Sequence, residues 1–242
     1  MRNDRLLERF LDPLLEGRRQ ECRQVFVEAI EAGVEPDKLY RSMIWPAMEH
    51  VARLYRADQI NAAQEHMATR INRLVADQLQ AFLQRNAPNG KRILIACADG
   101  EPEELGAQMC ADLFEADGWD VFFVGGGVPN DEIMELVGRV RPEILLVFGT
   151  QPSGVPGVRK LIELIREVGA NPTMNIMISG GVFNRAEGLW KEVNADLFAP
   201  TAGEALKVAA EAQPRKPEVK IPGAPKKRRR RRRPPLLAQA EA

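Results

Sequence analysis

The chain has 242 residues, of which 45% are hydrophobic, and equal numbers of acidic and basic residues, 34 of each. This length is enough for one large or two modest domains with buried cores. No apolar run approaches the roughly 18 residues of a membrane span, and the N-terminal MRNDRLLERF lacks the apolar block of a secretory signal, so we expect a cytoplasmic protein without a membrane partner.

Residues 1–89 have the periodicity of amphipathic helices. Apolar residues recur at i, i+3, i+4 and i+7 in four segments, and Gly17, Gly33 and the region of Pro36 act as stops or starts. Four such helices bury their apolar faces against one another, which predicts a helical bundle. The segments are DRLLERFLDPLLEG, RRQECRQVFVEAIEAG, EPDKLYRSMIWPAMEHVARLYRA and INAAQEHMATRINRLVADQLQAFLQR.

Residues 90–212 alternate short apolar runs with amphipathic helices. Strands that are apolar on both faces and joined by helical crossovers predict an α/β domain with a doubly wound parallel five-stranded sheet, Rossmann-like or flavodoxin-like. In such domains ligands bind at the carboxyl ends of the strands. The predicted strands are RILIACA, DVFFVG, EILLVFGT, NIMISGG and DLFAP, and the predicted helices lie near residues 103–117, 130–140, 155–169, 185–193 and 202–212.

Residues 213–242 have a different composition, with eleven Lys and Arg against two Glu. The net charge of this tail is about +9, so the preceding 212 residues carry about −9. Its proline content and few apolar residues predict disorder. The basic run from Lys226 to Arg233 can neutralise phosphates without reading sequence, because no aromatic residues interleave it. Three roles of the tail stay open. It could contact nucleic acid non-specifically, act as a solvated spacer or bind the acidic body of the same chain.

A helical bundle followed directly by a five-stranded Rossmann-like domain resembles the cobalamin-binding module of corrinoid methyl carriers and of B12-dependent photoreceptor repressors and antirepressors. The resemblance covers roughly residues 39–212. In the sensor branch an aromatic residue is followed by nine residues and then Glu-His. Here Tyr55 stands at that distance before Glu65 and His66, with tyrosine in place of the family's tryptophan. The resemblance implies that Tyr55 covers the upper corrin face and that His66 ligates cobalt from above; the alternative is an ordinary helical histidine.

The family's main fingerprint follows the first strand: an acidic residue, any residue, His, two more residues, then Gly. The corresponding frame in this chain is EPEELG, which keeps the acid as Glu101 and the glycine as Gly106. Glu103 stands where the family has the histidine that binds cobalt from below. Because a carboxylate is a harder and weaker cobalt ligand than imidazole, chemistry that depends on that histidine is not expected.

Other parts of the family pattern concern the nucleotide tail of the cofactor. Thr150, in FGTQPSG, stands near the family's serine after the third strand and implies a hydrogen bond to the tail. Gly180 and Gly181 follow the fourth strand, where missing side chains allow a flat ring or backbone to approach. The segment ADLFAP resembles the family's closing Gly-Ala-Asp, with Asn194 in place of the glycine.

Other chemistries have weaker support. The glycines at 125–127 allow a phosphate cradle, but no Walker or dinucleotide motif accompanies them, and we interpret them as lining the cofactor side of the second strand. Both histidines, His50 and His66, lie in the predicted bundle and no GxSxG occurs, which leaves Ser153 and Ser179 without a catalytic base. The acidic loop GEPEE is typical of a solvated helix start rather than of a glycosidase or metal hydrolase.

The resulting hypothesis is a non-enzymatic regulator that holds a corrinoid, or alternatively haem, between the bundle of residues 1–89 and the Rossmann-like domain of residues 90–212. The sequence contains no separate DNA-binding helix-turn-helix module, so output through the tail or through a protein partner such as a transcription regulator is expected. Two other functions stay open: a module without cofactor that acts as an interaction scaffold, and a corrinoid methyl carrier for a partner methyltransferase. The oligomeric state is left open.

Overall fold

The computed structural model describes residues 2–98 and 104–217, which divide into two compact units. The helical unit comprises residues 2–89 and 105–119, and the sheet unit comprises residues 90–98, 104 and 120–217. The sequence pattern assigns the helix near residues 103–117 to the second domain. In the structure this helix groups with the first, because its inner face bonds to side chains of the preceding helices.

Five helices precede the sheet unit. Buried side chains of the first, second and fifth helices, among them Phe10, Cys22 and Val75, form the interior of the helical unit. The helix bounds are α1 (Arg2–Leu15), α2 (Arg19–Glu31), α3 (Pro36–Leu39), α4 (Trp45–Arg56) and α5 (Ala62–Gln80), with a π-helical turn, Tyr40–Ile44, between α3 and α4.

The third predicted helix contains this π-helical turn, which ends two residues before Pro46. A proline has no N–H to donate and its ring clashes with the carbonyl one turn earlier, so the preceding turn widens. The Asn72 side chain on α5 donates to the Ile44 carbonyl, at the end of this turn, over 3.0 Å. The amphipathic periodicity predicts the helix correctly but contains no signal for its local widening.

Helix α6 (Leu105–Ala116) joins the helical unit through a partly buried polar cluster. The Tyr40 hydroxyl lies 2.9 Å from the carbonyl oxygen of Ala76 on α5 and 2.8 Å from a carboxyl oxygen of Asp112 on α6. Burial and the nearby Asp112 raise the pKa of Tyr40. Burial is also the main cause that raises the pKa of Asp112 to about 6.

The sheet unit has five parallel strands in the order β2-β1-β3-β4-β5. Its buried core combines one face of the central strands with helices on that face. The predicted α/β fold class is confirmed. The bounds are β1 (Arg92–Cys97), β2 (Asp120–Gly125), α7 (Asn130–Val140), β3 (Ile144–Phe148), a 3-10 turn (Pro152–Gly154), α8 (Val155–Val168), β4 (Asn175–Ser179), α9 (Gly181–Arg185), α10 (Leu189–Glu192), β5 (Leu197–Phe198) and α11 (Ala202–Glu211).

One predicted helix, residues 185–193, differs from the structure. Two short helices, α9 and α10, replace it, because Ala186 is extended and Gly188 has a φ of +80°. A left-handed glycine interrupts helical hydrogen bonding and lets the chain turn.

A carboxylate before β5 holds together the edge of the sheet unit. Asp196 accepts the backbone N–H of Ile176 over 2.7 Å and forms ion pairs with Arg166 and Arg215. Asn194, which we predict to replace the family's glycine, has a φ of +63°, a conformation that asparagine tolerates better than most residues.

The chain beyond α11 stays attached to the sheet unit as far as it is described. The Arg215 side chain bonds to Asp196, and Asn175 donates to the Gln213 carbonyl over 2.9 Å. The disorder predicted from residue 213 therefore does not extend to these residues. The basic run from Lys226 to Arg233 lies outside the described residues. Within residues 2–98 and 104–217, no helix is both long and apolar enough to cross a membrane.

Candidate functional site

The carboxyl ends of the parallel strands bring together the loops that the sequence singles out. The loops after β2, β3 and β4 carry residues 125–127, Gly149 with Thr150, and Gly180 with Gly181. These loops and Glu104 all belong to the sheet unit. Ligands of open α/β sheets bind at this edge, which makes it the candidate site.

The triglycine loop after β2 is occupied by a carboxylate of the chain itself. Glu104 Oε1 accepts the backbone N–H of Gly126 over 2.6 Å. Gly125 has a φ of +70°, and a Cβ atom there would lie 2.6 Å from the same oxygen. A side chain at Gly125 would thus displace Glu104. The alternative of a phosphate cradle loses support, because a carboxylate already engages this loop.

Sequence reasoning did not single out Glu104, which it treated as one of several acids in a solvated loop. The available signal was the combination of an acidic run after β1 with consecutive glycines after β2, since adjacent parallel strands end at the same edge. A charge-assisted bond to a backbone N–H is stronger than a neutral one. Glu104 therefore ties the end of the loop after β1 to the end of β2.

The glycines after β3 and β4 allow the chain's own backbone to approach closely. Gly180 has a φ of +105°, and a Cβ atom there would lie only 2.2 Å from the carbonyl oxygen of Gly149. Gly149 in turn donates its N–H to the Ser179 carbonyl over 3.0 Å. A glycine is therefore required at position 180, because the loops after β3 and β4 are in contact there. A Cβ atom at Gly181 would lie 2.9 Å from Arg185 Nη1.

Thr150, the predicted tail-binding residue, lies half-buried after β3. Its backbone carbonyl accepts a hydrogen bond from Arg185 Nη2 over 2.9 Å. Arg185 on α9 thus links the loop after β3 to the one after β4. No sequence pattern singles out Arg185, because the two loops that it links are far apart along the chain.

Ser179 is the last residue of β4 and is completely buried. Its hydroxyl has no hydrogen-bond partner among residues 2–98 and 104–217. An unsatisfied buried hydroxyl costs about 1–3 kcal/mol. Such groups are uncommon in folded proteins and call for an explanation.

The helical unit carries the other predicted residues, on α4 and α5. Tyr55, in the last turn of α4, is 43% exposed, and the His66 side chain is 69% exposed. Asn61 and Gln64 form a capping box that begins α5, so Glu65 and His66 lie in its first two turns. His66 Nε2 lies 3.5 Å from a Glu65 carboxyl oxygen. The imidazole is thus paired with a carboxylate and open to solvent.

His50, on α4, is partly buried. Arg53 donates to His50 Nδ1 over 2.7 Å, so this nitrogen carries no proton. Burial and the Arg53 cation lower the pKa of His50. The ring therefore stays neutral and engaged within its own helix.

Two of the predicted lower-loop residues, Glu101 and Glu103, lie outside the described residues. Gly106 is buried in the first turn of α6. Within the described part of the chain, no cluster of three or more His, Cys, Asp or Glu side chains has the geometry of a metal site. A corrinoid brings its own equatorial nitrogens, so the chain needs to supply only axial ligands and a binding surface. The glycine-rich strand ends and the unpartnered Ser179 hydroxyl fit such a ligand, whereas the donor at position 103 does not match the family's imidazole.

Comparison with known proteins identifies the family. Two profiles, each described as a B12 binding domain, match residues 6–80 and 91–210. The chain belongs to the B12-binding domain family. The predicted resemblance is confirmed at this level and places the chain among cobalamin-binding proteins.

Curated relatives of this B12-binding protein match along most of their length. Monomethylamine corrinoid protein 2 of Methanosarcina acetivorans is 22% identical over 215 residues, which cover 86% of this chain and 98% of the relative. Dimethylamine corrinoid protein 1 of the same organism is 22% identical over 188 residues, covering 76% of this chain and 87% of the relative. The solved structure of the Methanosarcina barkeri monomethylamine corrinoid protein has a TM-score of 0.77 at 20% identity and covers 86% of this chain and 99% of that one, which shows a shared fold.

These relatives do not support the predicted likeness to the sensor branch. That prediction depended on Tyr55, Glu65 and His66, of which Tyr55 and His66 are exposed and Glu65 is partly buried. A spacing of three residues contains much less information than a match along nearly the whole relative. The relatives likewise give no support for a transcription regulator as the partner.

Proposed function

We propose that this B12-binding protein is a corrinoid carrier that presents its cofactor to a partner methyltransferase. The observation that carries the proposal is the match of both units to B12 binding domains, together with relatives named as corrinoid proteins that align over 98% of their length. A carrier has no catalytic residues of its own. The chain therefore acts as a subunit of a methyltransferase system rather than as a complete enzyme.

The sheet unit supplies the surface for the ring and the slot for the tail. Thr150, Gly180 and Gly181 end two neighbouring central strands, and Arg185 fixes their loops relative to each other. Preorganised loops reduce the ordering cost of binding. When bound, the corrinoid supplies the metal-centred methyl chemistry, and these residues hold and orient it.

The helical unit supplies the upper-face residues. His66 has one ring nitrogen 3.5 Å from a Glu65 carboxyl oxygen, and a neighbouring carboxylate helps to orient a ligating imidazole. Tyr55 offers aromatic area that shields the ligand from water. We assign the upper ligand to His66 and the cap to Tyr55.

The first test is reconstitution with hydroxocobalamin. The full chain is mixed with the cofactor, passed through gel filtration and examined by visible absorption. We expect coloured protein with close to one cofactor per chain. A colourless protein contradicts the proposal. It favours the alternative of an interaction scaffold that binds no cofactor, which a glutamate in place of the family's histidine also favours.

Two variants test the axial positions. His66→Ala is expected to change the visible spectrum of the loaded protein, whereas the matched variant His50→Ala leaves it unchanged because His50 is engaged by Arg53. Glu103→His is expected to shift the spectrum towards that of a lower imidazole complex. An unchanged spectrum for Glu103→His means that the lower face of the ring lies elsewhere.

The second candidate function is a cobalamin sensor, and the spacing of Tyr55 and His66 favours it. A sensor changes its oligomeric state or its partner when light or redox state alters the cofactor. Size measurement of the loaded protein in darkness and after illumination separates the two functions, since a carrier is expected to keep the same size. Nucleic-acid contact through Lys226 to Arg233 stays a separate prediction, tested by the salt dependence of binding to DNA of arbitrary sequence.

A further inference from the structure

The helical unit has a groove on its surface that the candidate cofactor site does not include. The groove has a volume of about 500 Å³ and lies between the turn that joins α1 to α2 and one face of α5. Gly17 and Arg19 line one side of it, and side chains from residues 67–77 line the other. All of these residues belong to the helical unit. The groove is large enough to hold several side chains of a docked segment.

The floor of the groove is apolar. Met67, Ile71 and Leu74 follow one another along one face of α5, at the spacing i, i+4 and i+7. Ile71 is buried, Leu74 is half-buried and Met67 is 44% exposed. A Cβ atom at Gly17 would lie 3.1 Å from Met67 Sδ, so the glycine leaves room for the methionine side chain. Methionine is unbranched and adapts its shape to different contacts, which suits a binding surface.

The rim of the groove is basic. Arg19, Arg70 and Arg73 line it together with the carboxylate of Asp77, which already accepts a hydrogen bond from the Gln108 amide. Arg19 and Arg70 are exposed, and neither forms an ion pair with another residue of the ranges 2–98 and 104–217. The body of the chain, residues 1–212, carries a net charge of about −9. The positive charge of the groove therefore contrasts with the charge of the body around it.

An apolar floor with an arginine rim is complementary to an amphipathic helix that carries carboxylates. Residues 67–77 extend about 15 Å along the axis of α5, which is the length of about three helical turns. A docked helix places apolar side chains one turn apart into such a groove, and arginine binds carboxylates through paired hydrogen bonds. Nucleic acid would use the rim and leave the apolar floor uncovered. The run from Lys226 to Arg233 of the same chain is repelled by the rim, because both are positively charged.

We propose that this groove binds an acidic amphipathic helix of the partner methyltransferase. The inference rests on the proposed function, which supplies a methyltransferase as the partner. Met67 directly follows His66, so a helix seated in the groove lies close to the residue that we assign as the upper ligand. Charge complementarity speeds association and fixes the orientation of the two proteins, which suits a carrier that meets its partner repeatedly.

The test follows the methyl group of Met67 by nuclear magnetic resonance in the full chain, with ¹³C in the methionine methyl groups. The Met67 resonance is assigned by its disappearance in Met67→Leu. The protein is titrated with a synthetic helical peptide of about 14 residues that has leucine on one face and glutamate on the other. A second peptide has glutamine in place of each glutamate. Because the signal is local, binding of peptide to Lys226 through Arg233 does not enter the Kd obtained from it.

Three results together support the proposal. The Met67 resonance shifts with the acidic peptide until it saturates, and the Kd for the glutamine peptide is higher by about tenfold or more. Arg19→Glu and Arg70→Glu each raise the Kd for the acidic peptide about tenfold, because each places a carboxylate on the rim. The matched control Arg5→Glu, on the exposed surface of α1, changes the net charge equally and should change this Kd less than about twofold. The midpoints of urea unfolding should agree among the three charge variants.

Contrary results identify the error. An unmoved Met67 resonance, equal Kd values for the two peptides, or equal effects of Arg5→Glu and Arg70→Glu overturn the assignment of the groove to an acidic helix. A lower Kd for a thymidine oligonucleotide than for the acidic peptide assigns the groove to nucleic acid. A Met67 shift that depends on protein concentration without peptide assigns it to a second copy of the chain. Both of these results also overturn the proposal.

Failure of the proposed function has a separate signature. It fails if the full chain retains no hydroxocobalamin after gel filtration, a measurement that does not involve the groove. A chain that retains the cofactor while the Met67 resonance ignores the acidic peptide overturns only the inference about the groove.

Discussion

Replacement of Asp112 by asparagine is expected to remove a large part of the pH dependence of stability in the helical unit. The Tyr40 hydroxyl has one hydrogen but lies within hydrogen-bond distance of two oxygens, at 2.9 Å from Ala76 O and 2.8 Å from Asp112 Oδ2. If Tyr40 donates to the Ala76 carbonyl, the second bond requires a proton on Asp112. Asparagine keeps a donor at this position and carries no charge at any pH.

The magnitude follows from the pKa of Asp112, which burial raises from 3.8 to about 6. The carboxylates of Asp77 and Glu115 add to this effect, while the Tyr40 hydrogen bond and the Arg85 cation oppose it. Two pKa units correspond to about 3 kcal/mol. Because Asp112 is partly exposed, water screens part of this energy and we expect about 1–2 kcal/mol in the measurement.

The sign follows from proton binding. The folded state holds the Asp112 proton to higher pH than the unfolded state, so this contribution to stability is complete below pH 4 and is lost as the pH rises through 6. The wild-type free energy of unfolding should therefore fall between pH 4.5 and 7.5, relative to that of Asp112→Asn. At pH 7.5 the variant should be the more stable protein by about 1–2 kcal/mol.

Urea unfolding followed by circular dichroism over this pH range measures the effect, and amide hydrogen exchange in α5 and α6 assigns it to the helical unit. Glu31→Gln is the matched control, since it removes one carboxylate from the exposed surface of the same unit. It should change stability by less than about 0.5 kcal/mol at any pH in this range. Parallel pH profiles for wild type and Asp112→Asn would refute the reasoning, because Asp112 would then hold no additional proton in the folded state.

Two further predictions concern the backbone of each unit. Gly180→Ala should lower the free energy of unfolding by about 3 kcal/mol, because residue 180 has a positive φ and the new Cβ atom would overlap with the Gly149 carbonyl. The control variant Gly138→Ala lies on an open helical surface and should raise the free energy of unfolding by about 0.5–1 kcal/mol. Equal effects of the two variants in urea unfolding would show that Gly180 is not constrained. Asn61→Ala removes the bond to the Gln64 N–H and should cost about 1 kcal/mol, with faster amide exchange in residues 62–66; unchanged exchange there would contradict the role of the cap.

The sequence predicts the sheet unit well because its signals are local. β2 and α7 match their predicted bounds, and the other strands differ by one to three residues at their ends. Buried parallel strands are continuous apolar runs, and glycine or proline interrupts the pattern at their ends. The π-helical turn and the break at Gly188 escaped prediction because each depends on contacts or dihedral angles that apolar periodicity does not encode.

The sequence predicts the residues of the candidate site that a motif marks by residue type. It does not predict those that are placed there by contacts between distant parts of the chain. The strand-end glycines are visible in the sequence, but the structural reason for them is not, since Gly180 contacts Gly149, which lies in a different loop of the chain. Glu104 and Arg185 were missed for the same reason: each bonds to a backbone atom of a neighbouring loop. Ser179 was considered only as a nucleophile, and its burial without a partner among the described residues gives it a different meaning.

A glutamate at position 103 is expected to affect the electronic state of the bound metal and the affinity for the cofactor to different extents. An axial imidazole sets the electronic state of the metal, whereas affinity for a large cofactor comes mainly from buried surface and from hydrogen bonds around its edge. The predicted alignment of Glu103 with the family's histidine implies a departure from the family pattern at the axial position, whereas Gly180 and Gly181 are the paired glycines expected after the fourth strand. Loss of the imidazole should therefore alter the spectrum and reactivity of the bound cofactor more than its retention.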